Sequence, residues 1–205
     1  MLLGIVFAGW LALAQKASLT CSNIATAQTK PVSGPGATVA VLKVSTEDDH
    51  SKDSHLCMAD YQLVITQSSA DKPTTVDLLS SDDEWGRSLS IQLSGFSHDG
   101  KRILGMFSEG IATPMQQVFE YNADDGLVRS FDLPKLAGHL TTKKCLMNTQ
   151  IIGTSENDAI VIQLRSGKYC AHTSRWLLNS QKGPLRRVPK RASVLELYGA
   201  SGDNR

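Results

Sequence analysis

The feature that most constrains this chain is a repeat. Phe119-Glu120-Tyr121-Asn122-Ala123-Asp124-Asp125-Gly126 lines up with Trp176-Leu177-Leu178-Asn179-Ser180-Gln181-Lys182-Gly183, an offset of 57 residues from 119 to 176. The same shift carries Arg129 onto Arg186 and Pro134 near Pro189. Upstream, Gly95 to Gly100 lines up with Gly153 to Asp158 at an offset of 58 residues, and a weaker third copy centres on Tyr61 to Leu79. A small sheet cannot bury both of its faces alone, so units repeated at such a period are expected to stack on one another.

Each copy consists of short apolar runs separated by turn chemistry. Thr38 to Val44 is rich in β-branched residues and reads as a strand, followed by a polar loop from Glu47 to His55. Tyr61 to Ile65 and Thr75 to Leu79 flank Ser68 to Lys72, and Leu89 to Leu93 and Arg102 to Phe107 flank Ser97-His98-Asp99-Gly100. An Asp-Gly pair between apolar runs predicts a tight hairpin with positive φ at both Asp99 and Gly100. Val118 to Tyr121 and Leu127 to Phe131 enclose an Asn-Asp turn that includes Asp125 and closes on Gly126. Ile160 to Leu164 precedes Ser166-Gly167, and Arg175 to Leu178 and Leu185 to Val188 enclose a turn containing Gly183. No long segment keeps a helical period. The expected class is all-β, with antiparallel sheets built from repeated hairpins.

Phe96-Ser97-His98-Asp99-Gly100-Lys101-Arg102-Ile103-Leu104 resembles the hairpin of WD-repeat-like propellers of the TolB type, where an aromatic precedes Ser-Pro-Asp-Gly-Lys-Arg. Val118 to Leu133 is similar to the second half of such a blade, and the resemblance extends from about Ser90 to Leu133. His98 replaces the family's Pro, and the copy from Thr149 to Val188 lacks the Asp-Gly pair. The resemblance implies an incomplete β-propeller-like domain over residues 37–198; a β-sandwich of the same units is the alternative. It implies a turn and a core, not an activity. Propellers use about 4–8 blades and three copies do not close a ring, so self-association through open sheet edges is expected.

Leu2 to Ala14 is uncharged and apolar, too short to span a bilayer and suited to a secretory signal. No Lys or Arg precedes it, so the free amino terminus supplies the charge or translation starts upstream. Small residues place cleavage after Ala14 or Ala27, with a Pro/Gly linker over 28–36 and a disordered tail over 199–205. Export to the periplasm or beyond makes disulfides admissible. Of Cys21, Cys57, Cys145 and Cys170, the last two flank a strand pair and form the best-placed bridge. No C-x-x-C spacing marks a metal or redox site.

The chain is 41% hydrophobic and 20% charged with net charge +1, so no global charge draws it to nucleic acid or anionic lipid. Lys182, Arg186, Arg187, Lys190 and Arg191 form one local basic run, read either as an anion patch or as charges guarding an edge strand. Ser97, His98 and Asp99 share one turn and cannot align as nucleophile, base and orienter. Glu47, Asp48, Asp49, His50, Asp53, His55 and Cys57 fit no metal-loop spacing and read as a solvated acidic loop. No catalytic, cofactor-binding or metal site is assigned. The expected role is a non-catalytic envelope or secreted protein that binds another protein, with no nucleic-acid partner and no membrane span once the signal is removed. Two rivals differ in chemistry. One is a hydrolase or lyase for an extracellular polymer using Asp53, Asp82, Asp83 and Asp124, and the other is a protein tethered by an uncleaved apolar start.

Overall fold

The computed structural model describes residues 30–49, 56–83, 89–109, 115–179, 184–189 and 191–199. Twelve strands form three four-stranded antiparallel sheets. The first contains β1 (Val32–Ser33), β2 (Val39–Asp49), β3 (Leu56–Thr66) and β4 (Thr74–Asp83), paired in that order. The second contains β5 (Leu89–Phe96), β6 (Arg102–Glu109), β7 (Met115–Asn122) and β8 (Leu127–Asp132). The third contains β9 (Gln150–Thr154), β10 (Ile160–Ser166), β11 (His172–Leu178) and β12 (Arg186–Arg187). The fold is therefore all-β, and the three sheets remain separate, with no closure into a barrel or ring.

The apolar pattern stacks the sheets in chain order. Alternate residues of β2 and β3, namely Ala40, Leu42, Tyr61, Leu63 and Ile65, point from the first sheet into a core shared with Ile91, Phe96, Ile103, Phe107 and Phe119 of the second. The intervening positions of the second sheet, Leu104, Val118 and Phe131, enter another core with Ile160, Ile162, Leu164 and Leu178 of the third. The middle sheet is buried on both faces, which is why β6 reads as the unbroken run Ile103-Leu104-Gly105-Met106-Phe107 rather than an alternation. Gly105 stands opposite Phe119, and a Cβ there would lie 2.3 Å from the aromatic ring, so only glycine admits the ring.

Two short helices fill the second core beside β8: α1 (Leu133–Ala137) and α2 (Lys143–Leu146). Asp132 caps α1 by accepting from the Lys135 amide at 3.1 Å, and Thr142 caps α2 by accepting from the Cys145 amide at 3.3 Å. Leu133, Leu136, Ala137 and Leu146 face the core.

The second and third sheets share local devices as well as strand order. Each first strand bulges one residue before a glycine, Gly95 or Gly153, whose φ is 145° or 159°. Each then enters a turn through a serine whose hydroxyl accepts from the returning strand, Ser97 from the Arg102 amide at 3.0 Å and Ser155 from the Ala159 amide at 3.1 Å. Gly100 (φ 73°) and Asp158 (φ 60°) take the same left-handed position.

A segment beyond β12 ties the three sheets together. Leu195 exchanges two backbone hydrogen bonds with Thr154 at the end of β9, and Tyr198 exchanges two with Phe96 at the end of β5. Gly199 then lies so close to Ser33 of β1 that a Cβ would meet its backbone at 2.4 Å. The three residues from Leu195 to Tyr198 advance about 10 Å, the usual spacing of stacked sheets. This strap therefore crosses the first strands of all three sheets, one after another.

Three local expectations change. Glu47–Asp49 continues β2 instead of opening a loop, because it pairs in register with β3. Asp99 does not take positive φ; only Gly100 does, and the Asp99 carboxylate instead closes the turn through its side chain. In the Pro/Gly stretch read as linker, Val32–Ser33 forms β1 and Gly34 lies against the Phe96 ring. The apolar start, both cleavage positions and residues 200–205 lie outside the described residues.

Candidate functional site

A partly buried ionic chain links the second and third sheets. Glu120 on β7 stands directly opposite Arg129 on β8 and receives Arg129 Nη1 at 3.1 Å on Oε1. Its other oxygen receives Arg102 Nη1 at 3.3 Å, and Arg102 reaches across to the Asp158 carbonyl at 2.5 Å and to its Oδ1 at 3.2 Å. Arg129 also bonds Asp125 on the turn that follows β7. The carboxylates of Glu120 and then Asp125 push the Arg129 guanidinium further toward the charged form. A cleft of about 390 Å³ opens here, lined by Arg102, Glu120, Arg129, Phe131, Asp158 and Leu178 among others. Every charge of the chain is paired within it. The network clamps one sheet to the next and presents no side chain poised as nucleophile or base.

Ser97, His98 and Asp99 are equally occupied. The buried Ser97 hydroxyl donates to Asp99 Oδ1 at 2.5 Å, and His98 stacks on Tyr198 of the strap at 5.6 Å between ring centres. Burial pushes the Asp99 carboxyl up. The Ser97 hydroxyl, the Lys101 amide and the charges of Arg102 and Lys101 together outweigh that effect and hold it below its ordinary value. Asp125 is likewise held low, first by the Leu127 amide and then by Arg129. Gly126 supplies the left-handed position, with φ 69°.

Of the carboxylates read as a hydrolytic pool, the structure describes the side chain of Asp124 alone. Asp124 is exposed and paired with Lys101 at 2.9 Å; Asp82 and Asp83 lie on β4, and Asp53 lies outside the described residues. Glu47, Asp48 and Asp49 lie on β2 and Cys57 on β3, while His50 and His55 lie outside the described residues. Among the described residues no three His, Cys, Asp or Glu side chains gather as a metal site would require.

The described residues of the basic run are different: no ion pair holds them among the described residues. Arg186 and Arg187 form β12 and are exposed, as is Arg191, whereas Lys182, Gly183 and Lys190 lie outside the described residues. Neighbours on a strand point to opposite sides, and so the run divides. Arg187 stands opposite Trp176 and lines a cleft of about 590 Å³ with Leu140, His172, Ser174 and Trp176. Arg186 stands opposite Leu177, on the face turned away from the second sheet. That face also carries Arg165 on β10 and Arg175 on β11, the latter opposite Gln163. None of Arg165, Arg175, Arg186 and Arg187 has a carboxylate partner among the described residues. Arg165 and Arg175 escape a reading of the sequence run because register, not sequence proximity, brings them beside Arg186.

The surrounding sequence deepens this charge. Residues 133–195 contain eleven Lys and Arg against two Asp and Glu, whereas residues 30–132 contain eight against sixteen. Near neutrality overall thus conceals a chain acidic in its first two sheets and basic in its third. At the rim of the third sheet, a disulfide joins Cys145 of α2 to Cys170. It braces the turn that presents Tyr169, 80% exposed, with Lys168 over its ring.

No family model matches the chain, and neither a curated protein nor a solved structure is found similar to it. No helix among the described residues is long and apolar enough to cross a membrane.

Proposed function

We propose that this is an exported, non-catalytic interaction protein that docks an acidic protein surface on the outer face of its third sheet. The observation that carries the reading is the set Arg165, Arg175 and Arg186, three guanidinium groups on one sheet face with no carboxylate partner among the described residues. Guanidinium forks are suited to carboxylates, and a rigid sheet fixes their spacing in advance. The apolar run Leu2 to Ala14 and the Cys145–Cys170 bridge support export to an oxidising compartment.

We read the fold as an incomplete propeller. The hairpin from Phe96 to Leu104 resembles the TolB-type unit, the sheets are four-stranded meanders, and they stack by their faces in chain order. The test is retention of envelope proteins by the full chain and by R165E/R175E/R186E, at low and high salt. The wild type is expected to retain acidic proteins at low salt and the variant to lose them. Identical retention by both proteins removes the reading.

A further inference from the structure

The middle sheet shows what a sheet of this chain requires, since both its faces are covered by neighbours. Among the described residues, the end sheets each have one face that no other sheet covers. On the first sheet that face carries Val39, Val41 and Val64, half-buried, with Lys43, Asp60, Gln62 and Asp77. On the third, Val194 of the strap segment lies against Gly153 at one end, leaving Gln163, Arg165, Thr173, Arg175, Leu177 and Arg186.

Resting on the docking role proposed above, we infer that the acidic partner is a second copy of this chain, whose first sheet seats its outer face on the third sheet. The charges select this arrangement. Residues 30–88 contain ten Asp and Glu against five Lys and Arg, while residues 133–195 contain eleven Lys and Arg against two acids. Opposite ends of two copies attract and like ends repel, which favours head-to-tail over face-to-same-face contact. Val39, Val41 and Val64 meet Leu177 across such a contact, and the guanidinium groups meet Asp60 and Asp77.

Head-to-tail contacts either close or grow into filaments, and curvature decides. The strap bonds the ends of β9 and β5 three residues apart, about one sheet spacing, and its next residue abuts β1. On the opposite side, beside β8, α1 and α2 wedge into the core between the second and third sheets. We infer that a tie on one side and inserted helices on the other bend the stack like part of a ring. Two copies supply six sheets, within the range of about 4–8 that closed rings of such sheets use. Two identical contacts then close the dimer and leave no uncovered sheet face.

Sedimentation velocity of the full chain and two charge-reversed variants tests this. R165E/R175E/R186E reverses the basic face, and D60K/D77K reverses the acidic one. The wild type is expected to be a dimer that dissociates as salt rises, and each variant alone to be monomeric, weakened on the order of 100-fold. An equimolar mixture of the two variants is expected to restore the dimer, because both contacts then pair opposite charges again. That rescue also shows that both variants are folded.

A wild type monomeric at low salt at every concentration overturns the inference, as does dimerisation of either variant alone. Species that grow without limit as concentration rises overturn the closed ring. If a monomeric wild type binds vesicles of anionic phospholipid or heparin, and R165E/R175E/R186E does not, the face belongs to that ligand instead. A monomeric wild type that still retains other acidic proteins through these arginines removes only the second copy. If R165E/R175E/R186E both self-associates and retains partners as the wild type does, the docking role itself falls.

Discussion

Ser97 and Asp99 show how a polar side chain can specify a turn. The hydroxyl donates to the carboxylate and accepts the Arg102 amide, and the carboxylate accepts the Lys101 amide, so four backbone and side-chain groups are satisfied within six residues. Removing the fully buried hydroxyl in S97A leaves the Arg102 amide short of a partner and is expected to cost about 1–2 kcal/mol in urea unfolding. Asp99 adds a pH dependence. Its folded-state pKa lies below the ordinary 3.8, so its contribution is complete above that value and is lost as pH falls through the lower, folded one. The stability gap between wild type and D99N, followed by urea midpoints, is expected to be constant near neutrality and to narrow below about pH 4. At the sheet interface, E120A strips Arg102 and Arg129 of their shared partner and is expected to cost about 3 kcal/mol. R102L/E120L is expected to cost less than the two single leucine variants added together, because it leaves no buried charge at Arg102 or Glu120.

Strands and turns were largely legible in the sequence, and the reason is local. Leu89 to Leu93, Arg102 to Phe107 and Leu127 to Phe131 all lie inside strands, since short β-rich runs bounded by Gly and Asp leave few other conformations. The strap was not legible. It makes single bridges instead of a ladder, so Val194 to Tyr198 carries no pattern longer than a few residues. Nor was the outer arginine face, because Arg165, Arg175 and Arg186 meet only through the registers of β10, β11 and β12. The bridge between Cys145 and Cys170 spans 25 residues and fastens α2 to the turn before β11. Opening a loop of that length in C145S/C170S is expected to lower stability by about 3 kcal/mol. Reducing agent is expected to shift the wild-type unfolding midpoint further than that of the variant, which lacks this bridge.

For the molecule as a whole, the strap and the charge distribution act on different properties. The strap holds the sheets together along one side, while the opposed charges at the two ends are what the proposed docking uses. G199A tests the first. Gly199 has φ 70° and abuts the Ser33 backbone, so any Cβ must push the strap off β1. Faster hydrogen exchange is expected at Val32 and Ser33, with β6 and β7 in the middle sheet unaffected. A net charge of +1 also misleads at this scale, since it averages an acidic pair of sheets with a basic one.

A chain synthesised from its amino end makes the twelve described strands before it reaches Leu195. Each sheet can therefore assemble and pack on its neighbour as it emerges, and the clasp across the first strands arrives last. On the export proposed above, such a late lock lets the transport machinery meet the chain while it is still open.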